Sequence, residues 1–373
     1  MGSGESTLDH ALSSGLSETV PDENFWRGRR VLLTGHTGFK GSWLTCWLQT
    51  LGAVVMGVAL PEAPTKPSLY DQLALDDVVD VRADITSSAW VPQAVEFSPE
   101  IVFHLAAQSL VAVGLESPYR TFEVNVLGTA RVMSFLDSLK GLRAAVVVTT
   151  DKVYSPSSMD AHTEADALGG CDPYAASKAA AEMVVAGWPD FDAPCATARA
   201  GNVIGGGDWA GNRLLPDLMR AWLAGLPVTL RRPTAVRPWQ HVLEPLCGYL
   251  LYAEALAAGT VLPLAMNFGP ASGQSVQVSE VVDFAADYWQ QVGRDLPTPP
   301  VEETSSLSFP ETAELQLDSR LAASALGWSP AFDWRKAVAM TIDWYVGEDE
   351  GRNPRDLVTQ QLDDYLATTR GAV

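Results

Sequence analysis

The sequence is poor in cysteine. Its 373 residues include four, Cys46, Cys171, Cys195 and Cys247, with no CxxC pair and no Cys/His cluster at metal-ligand spacing. That excludes a disulfide-stapled scaffold and a zinc or iron–sulfur module, and it points to a reducing, cytoplasmic setting. Long apolar runs are also missing. Ala144–Val148 is among the longest and has the length of a strand, so no membrane span is expected. Positive charge is scarce as well: 25 Lys and Arg stand against 45 Asp and Glu, for a net charge of −20. A surface that acidic repels a phosphate backbone, so nucleic acid is not an expected partner. A few local backbone N–H groups can still hold a phosphorylated ligand against the global field. What is present is ordinary globular material, 47% hydrophobic, in a chain long enough to bury a large core.

Along the chain, short apolar runs alternate with stretches of helical periodicity. Residues 1–22, rich in Ser, Gly and Glu at their start, are read as an extension outside the fold. Strands are expected at Arg30–Thr34, Ala53–Leu60, Val79–Ala83, Pro99–Leu105, Ala144–Thr150 and Ala196–Arg199. Helices are expected over Gly41–Leu51, about Tyr119–Leu139 and about Tyr174–Trp188. This predicts an α/β fold, a Rossmann-type doubly wound parallel sheet over residues 23–202 with completion by 239–269. A smaller, irregular lobe is interleaved with it over 203–238 and 270–350, and 351–373 form a C-terminal tail or helix.

Gly35-His36-Thr37-Gly38-Phe39-Lys40-Gly41 follows the first strand and opens the first helix. Gly35 permits the turn, Gly38 lets backbone approach a pyrophosphate, and Gly41 lets the helix lie close on the sheet, which together read as a dinucleotide loop. Lys40 either touches a phosphate or, the commoner outcome, stands solvated on the first helical turn. Thr37 and Phe39 belong to the same loop. Asp84 and Ile85 end the third strand, where the acid either meets an adenine or caps a turn. Leu105, Ala106 and Ala107 end the fourth strand, and Asn125 lies in the helix beyond. No acidic residue sits directly at the end of the second strand to take a ribose diol, and no arginine is there for a 2′-phosphate. The cofactor is read as NAD, and no metal is expected.

Tyr174 and Lys178 lie one helical turn apart on one face. A phenol titrating at about 10 is a poor base, and a cation at i+4 stabilises its phenolate. Thr150 can bond the substrate oxygen that Tyr174 deprotonates. Asp151 and Lys152 then place a carboxyl and an amine at the carboxyl end of the fifth strand, a pairing suited to elimination.

GHTGFKGSWL, PEIVFHLAAQ, NVLGT, TTDKVY, LGGCDPYAASKAAAE, ARAGNVIGGGDW and AVRPWQHVLEPLCGYLL together resemble the CDP-glucose 4,6-dehydratase family, extended short-chain dehydrogenases acting on nucleotide sugars. The likeness runs from about Phe25 to Tyr345. It implies that Tyr174 and Lys178 are the redox pair, Thr150 the oxygen-binding hydroxyl, and Asp151 with Lys152 the elimination pair. It also implies that Gln108, Asn202, Arg237 and His241 hold the nucleotide-sugar substrate, in the substrate-binding lobe and beside it. Lysine at 152, where dTDP-glucose dehydratases have glutamate, marks the CDP-sugar branch. A homodimer is implied, paired through the helices at Tyr119–Leu139 and Tyr174–Trp188. The intact Asp151 and Lys152 argue against a simple nucleotide-sugar epimerase, and the intact Tyr174 and Lys178 against a non-catalytic binding protein. Two segments depart from the family pattern. Ser109–Leu115 lacks the arginines, hydroxyl and phenol usual there, and Val153–Thr163 lacks the usual aromatic-rich loop.

Overall fold

Val, Leu, Ile and Ala fill most of the short runs between the helices and, apart from the edge run Val78–Arg82, are buried on both faces, which is how parallel strands under two helical layers are composed. In the structure, a computed structural model that describes residues 19–155, 161–189, 193–230, 232–296, 301–302 and 315–371, these runs form one seven-stranded sheet. Across it lie, in order, Ala265–Phe268, Cys195–Ala200, Ala144–Val148, Ile101–His104, Arg30–Thr34, Val54–Ala59 and Val78–Arg82, all parallel. Within Arg30–Thr34, Val31 and Leu33 face one helical layer and Leu32 the other. From this strand the chain moves one way to Val54–Ala59, and later returns to Ile101–His104 on the opposite side. The reversal leaves a crevice at the carboxyl ends of the strands, where ligands sit in sheets of this kind.

Two cores clamp the sheet. The larger holds Trp43, Trp47, Leu246, Tyr249, Trp344 and Tyr365, and so runs without a break from the first helix into the C-terminal part of the chain. Gly206 is the point of closest approach: a Cβ there would lie 1.9 Å from the Trp344 ring. The last helix, Pro354–Gly371, lays Leu357, Val358, Leu362 and Tyr365 on this core. The smaller core, on the other face, is built on Met56, Val58, Trp90, Val132 and Leu136.

Two expectations are corrected. The extension set at 1–22 ends earlier, because Val20 is buried, the Cys247 thiol bonds the Thr19 carbonyl at 3.6 Å, and the Asp22 N–H donates to Glu254. Residues 1–18 lie outside those described, as do parts of the Val153–Thr163 and Pro270–Trp334 segments. The helix expected over Tyr119–Leu139 is three pieces, Pro118–Phe122, a π-helical stretch Glu123–Leu127 and Gly128–Asp137. The wide turn carries Asn125, whose side chain makes three hydrogen bonds, to the Gln108 N–H, the Gln108 carbonyl and the Ser177 hydroxyl.

His104 ends its strand fully enclosed, bonded to the hydroxyls of Thr34 at 2.7 Å and Thr129 at 3.1 Å. Burial brings its pKa from 6.5 down to about 3. The unfolded chain therefore takes the proton first, and stability present above pH 6.5 is lost as pH falls toward 3. Replacing His104 by Asn should flatten the pH dependence of urea-unfolding stability over that interval by about 1.4 kcal/mol per pH unit. An unchanged slope would show that the imidazole is not held neutral.

Candidate active site

The loop after the first strand is shaped by three glycines with different duties. Gly35 has φ +77, and a Cβ on it would lie 2.7 Å from the Ala106 nitrogen. Gly41 would bring a Cβ to 2.1 Å from the Gly35 carbonyl oxygen, so it closes the loop on itself rather than fitting helix to sheet as expected. Gly38 has ordinary φ and meets only the Gly35 oxygen, at 3.3 Å. It caps the helix Phe39–Thr50 without any side-chain acceptor, so the positive end of a 12-residue helix opens on the cavity. A cradle of this form fits a dinucleotide pyrophosphate.

The cavity measures about 810 Å³. Of the residues expected at the cofactor, Gly35, Thr37, Gly38, Phe39, Gly41, Asp84, Ile85, Leu105, Ala106, Ala107, Tyr174 and Lys178 line it. Asp84 is both turn cap and wall. Its carboxylate accepts from the Thr86 N–H and hydroxyl and pairs with Arg120, and these bonds outweigh burial and hold its pKa low. Asn125 is not in the wall. It stands behind Gln108, whose own amide is taken up by Thr121 and the Leu110 N–H, so Gln108 does not face the cavity either.

The helix Pro173–Ala186 starts from Asp172, which accepts from the Ala175 N–H, with Pro173 in the first turn. That start sets Tyr174 and Lys178 against the carboxyl end of Ala144–Val148. The Lys178 ammonium donates to the Val148 carbonyl at 2.7 Å. Burial brings its pKa down to about 8, with Glu182 opposing, so the cation still prevails at neutral pH. Burial also raises the Tyr174 phenol, against the pull of Lys152 and a hydrogen bond with Thr150.

Thr150 donates to the Asp151 carboxylate at 2.9 Å, and Lys152 donates to the same oxygen at 3.1 Å. Thr150, Asp151 and Lys152 thus form one hydrogen-bonded row, with the Tyr174 phenol beside Thr150. Thr150 and Lys152 line the cavity, whereas Asp151 is wholly buried one bond behind them, its second oxygen without a partner.

Of the remaining substrate candidates, Asn202 and Arg237 line the cavity and His241 does not. The His241 ring lies in the core between Trp43 and Phe332, with centroids at 5.7 and 6.3 Å, and is corrected to a packing residue. It pairs in register with Ile204, a strand position whose side chain is turned inward.

Of the two readings given for Lys40 the solvated one is corrected, because it lines the cavity; Trp209, Arg213 and Arg232, which escaped the sequence reading, line it too. The signal for Arg213 was its place just after the glycine-rich GNVIGGGDW, a rare cation in an acidic chain. The segment Ser109–Leu115 forms the helix Val111–Glu116, and Leu110, Val111, Ala112 and Leu115 give the cavity an apolar wall.

A profile of the NAD dependent epimerase/dehydratase family matches residues 31–265. The chain belongs to this family. It is 38% identical over 365 residues to CDP-glucose 4,6-dehydratase of Salmonella typhimurium, covering 94% of this chain and 99% of that one. It is 26% identical to dTDP-glucose 4,6-dehydratase of Xanthomonas campestris pv. campestris, over 84% of this chain and 92% of the relative. Among solved structures, the fold matches an epimerase of Methanothermobacter thermautotrophicus at TM-score 0.77 and 21% identity, over 88% of this chain and 95% of that one. MoeE5 in complex with UDP-glucose and NAD matches at TM-score 0.71 and 26% identity, over 86% and 99%. The family's cofactor is NAD, and the loop geometry suits it.

In Gly38→Val the branched side chain would fill the mouth of the cradle while leaving φ allowed. We expect the variant to melt near the parent temperature and to bind NAD at least about tenfold more weakly by calorimetry, the loss of roughly one good charge-assisted hydrogen bond. Equal affinity would overturn the assignment of the loop.

Proposed function

We propose that the protein is an NAD-dependent nucleotide-sugar 4,6-dehydratase, acting on CDP-glucose. The observation that carries this reading is the meeting of Tyr174 and Lys178 with Thr150 and Lys152 at one cavity, with Asp151 bonded to the last two from behind the wall. The likeness to the Salmonella CDP-glucose enzyme over almost the whole of both chains supports the choice of sugar nucleotide.

NAD, when bound in the cradle of Gly35, Gly38 and Gly41, would supply a hydride acceptor for C4 and, once reduced, a hydride donor for C6. The protein supplies the proton chemistry. Tyr174, with Lys178 one turn below it, removes the 4-hydroxyl proton while Thr150 holds that oxygen. The resulting ketone acidifies C5–H, and Lys152, its proton passed to Asp151 along their hydrogen bond, removes that proton. Asp151, buried one hydrogen bond behind the wall, supplies the proton for the departing 6-hydroxyl through the Thr150 hydroxyl, which bonds it and lines the cavity. Asn202 and Arg237 hold the nucleotide diphosphate, the guanidinium fork matching its oxygens. The apolar wall of Leu110, Val111, Ala112 and Leu115 borders the hexose.

We also propose a homodimer paired through the helices Pro118–Phe122, Gly128–Asp137 and Pro173–Ala186. Tyr119 is 81% and Met183 61% exposed on these elements, with Leu127 and Phe122 beside them, an apolar surface suited to a copy of itself. The scattered cysteines support a cytoplasmic location.

Incubation with CDP-, dTDP- and UDP-glucose, followed by mass analysis, tests the activity. Loss of water, fastest with the CDP sugar, is expected, and unchanged masses throughout would overturn the reading. Tyr174→Phe should cut turnover by about 10²–10⁴-fold with NAD left oxidised. Lys152→Met should instead accumulate bound NADH with little loss of water, and normal turnover of this variant would remove Lys152 from the mechanism. Light scattering at micromolar concentration should give twice the chain mass, and Leu127→Asp with Met183→Asp should halve it. A monomeric parent would overturn the dimer.

A further inference from the structure

Lys40 is the one cavity-lining lysine that the proposed chemistry does not use. It stands next to Gly41 in the cradle, yet its ammonium is turned away from the surface, 3.5 Å from the Tyr249 hydroxyl and 5.8 Å from the centre of that ring. Tyr249 is fully buried in the helix Leu243–Ala257 and interacts in turn with Tyr174. Among the described residues no carboxylate forms an ion pair with Lys40. The charges that face it come from every side of the centre: Arg213 ahead of the helix Leu214–Leu223, Lys178 on the helix of Tyr174, and Asp151 and Lys152 after the fifth strand. A cation is thus held between the dinucleotide cradle and the redox pair, with three other cations near it and one carboxylate.

We propose that Lys40 tunes the redox balance of the bound cofactor. The inference rests on the reading of Tyr174 and Lys178 as the redox pair, since the nicotinamide ring must then lie within hydride reach of the sugar they serve. The oxidised ring carries a positive charge and the reduced ring none. An ammonium fixed nearby in a site shielded from water disfavours the first relative to the second, and so makes bound NAD the stronger hydride acceptor. The first half-reaction, removal of hydride from a secondary alcohol, is the step that gains from this.

Burial, reinforced by Arg213 and Lys178, brings the Lys40 pKa down to about 7. The effect therefore belongs to the acid side of neutrality and fades as the amine loses its proton. Lys178, at about 8, is the other lysine that titrates nearby and accounts for what remains at higher pH.

The test is the ratio of dissociation constants for NAD and NADH, measured by calorimetry and by NADH fluorescence on cofactor-stripped protein between about pH 6 and 8.5, a range that spans the titration of the amine. In the parent the ratio should fall about tenfold as pH rises, NAD gaining on NADH. In Lys40→Met it should already be low at the acid end and change little up to neutrality. In Lys40→Arg, a cation at every pH, it should stay high through neutrality and decline only where Lys178 loses its proton. Melting curves check that both variants fold. A ratio that moves with pH in Lys40→Met as it does in the parent would overturn the inference while leaving the dehydratase reading in place. Failure of the parent to bind either form would overturn both.

Discussion

Everything at the catalytic end of this molecule leans on one buried ion pair. Glu182, one turn beyond Lys178, pairs with Arg199 at 2.8 Å, both side chains almost wholly enclosed. The same carboxylate accepts from Thr149 and Thr197, and the Arg199 guanidinium donates to the Tyr154 hydroxyl at 2.9 Å. Two strands, the Tyr174 helix and the segment after Lys152 are thereby locked to one another. Removing one partner would strand a charge in the core, at a cost of about 3–5 kcal/mol. Such a pair is a poor source of net stability, since its desolvation offsets most of the attraction. It is a good source of position, because only one arrangement satisfies all the lone pairs.

The second constraint is electrostatic. The chain carries a net charge of −20, yet in the wall of its cavity basic side chains, Lys40, Lys152, Lys178 and Arg237 among them, outnumber the carboxylates, one of which, Asp208, pairs with Arg213. Among the described residues many other basic side chains are tied to surface carboxylates, as Arg29 is to Glu100 and Arg294 to Asp349. A doubly charged diphosphate therefore meets a repulsive exterior and an attractive interior. Selectivity against bulk polyanions and affinity for a small one come from the same distribution.

How far the chain could be read in advance varied with the range of the interactions involved. The glycine loop, the Tyr174–Lys178 pair and the strands of the sheet were legible because each depends on neighbours within a few residues: a turn that needs positive φ, an i,i+4 face, a short apolar run. Side-chain direction was not legible to the same degree. Gln108 and Asn125 carry the polar groups of a binding site, but the Asn125 amide bonds the Gln108 backbone and the Gln108 amide bonds Thr121 and the Leu110 N–H. His241 has the chemistry of a ligand and the surroundings of a core residue. Lys40 looked like a first-turn surface lysine, and only the approach of Tyr249, more than two hundred positions away, turns it inward.

By itself, then, the sequence determined the order of strands and helices, the glycine loop that cradles a pyrophosphate and the shared helical face of Tyr174 and Lys178, since those follow from local sterics and spacing. The tertiary structure alone decided which of those groups reach the cavity. Asp151 is adjacent in the chain to two wall residues, yet it is buried behind them, because the turn after the strand spends its carboxylate on Thr150 and Lys152. Exposure to a common space depends on contacts between distant segments, and those form only when the sheet closes and both cores are packed.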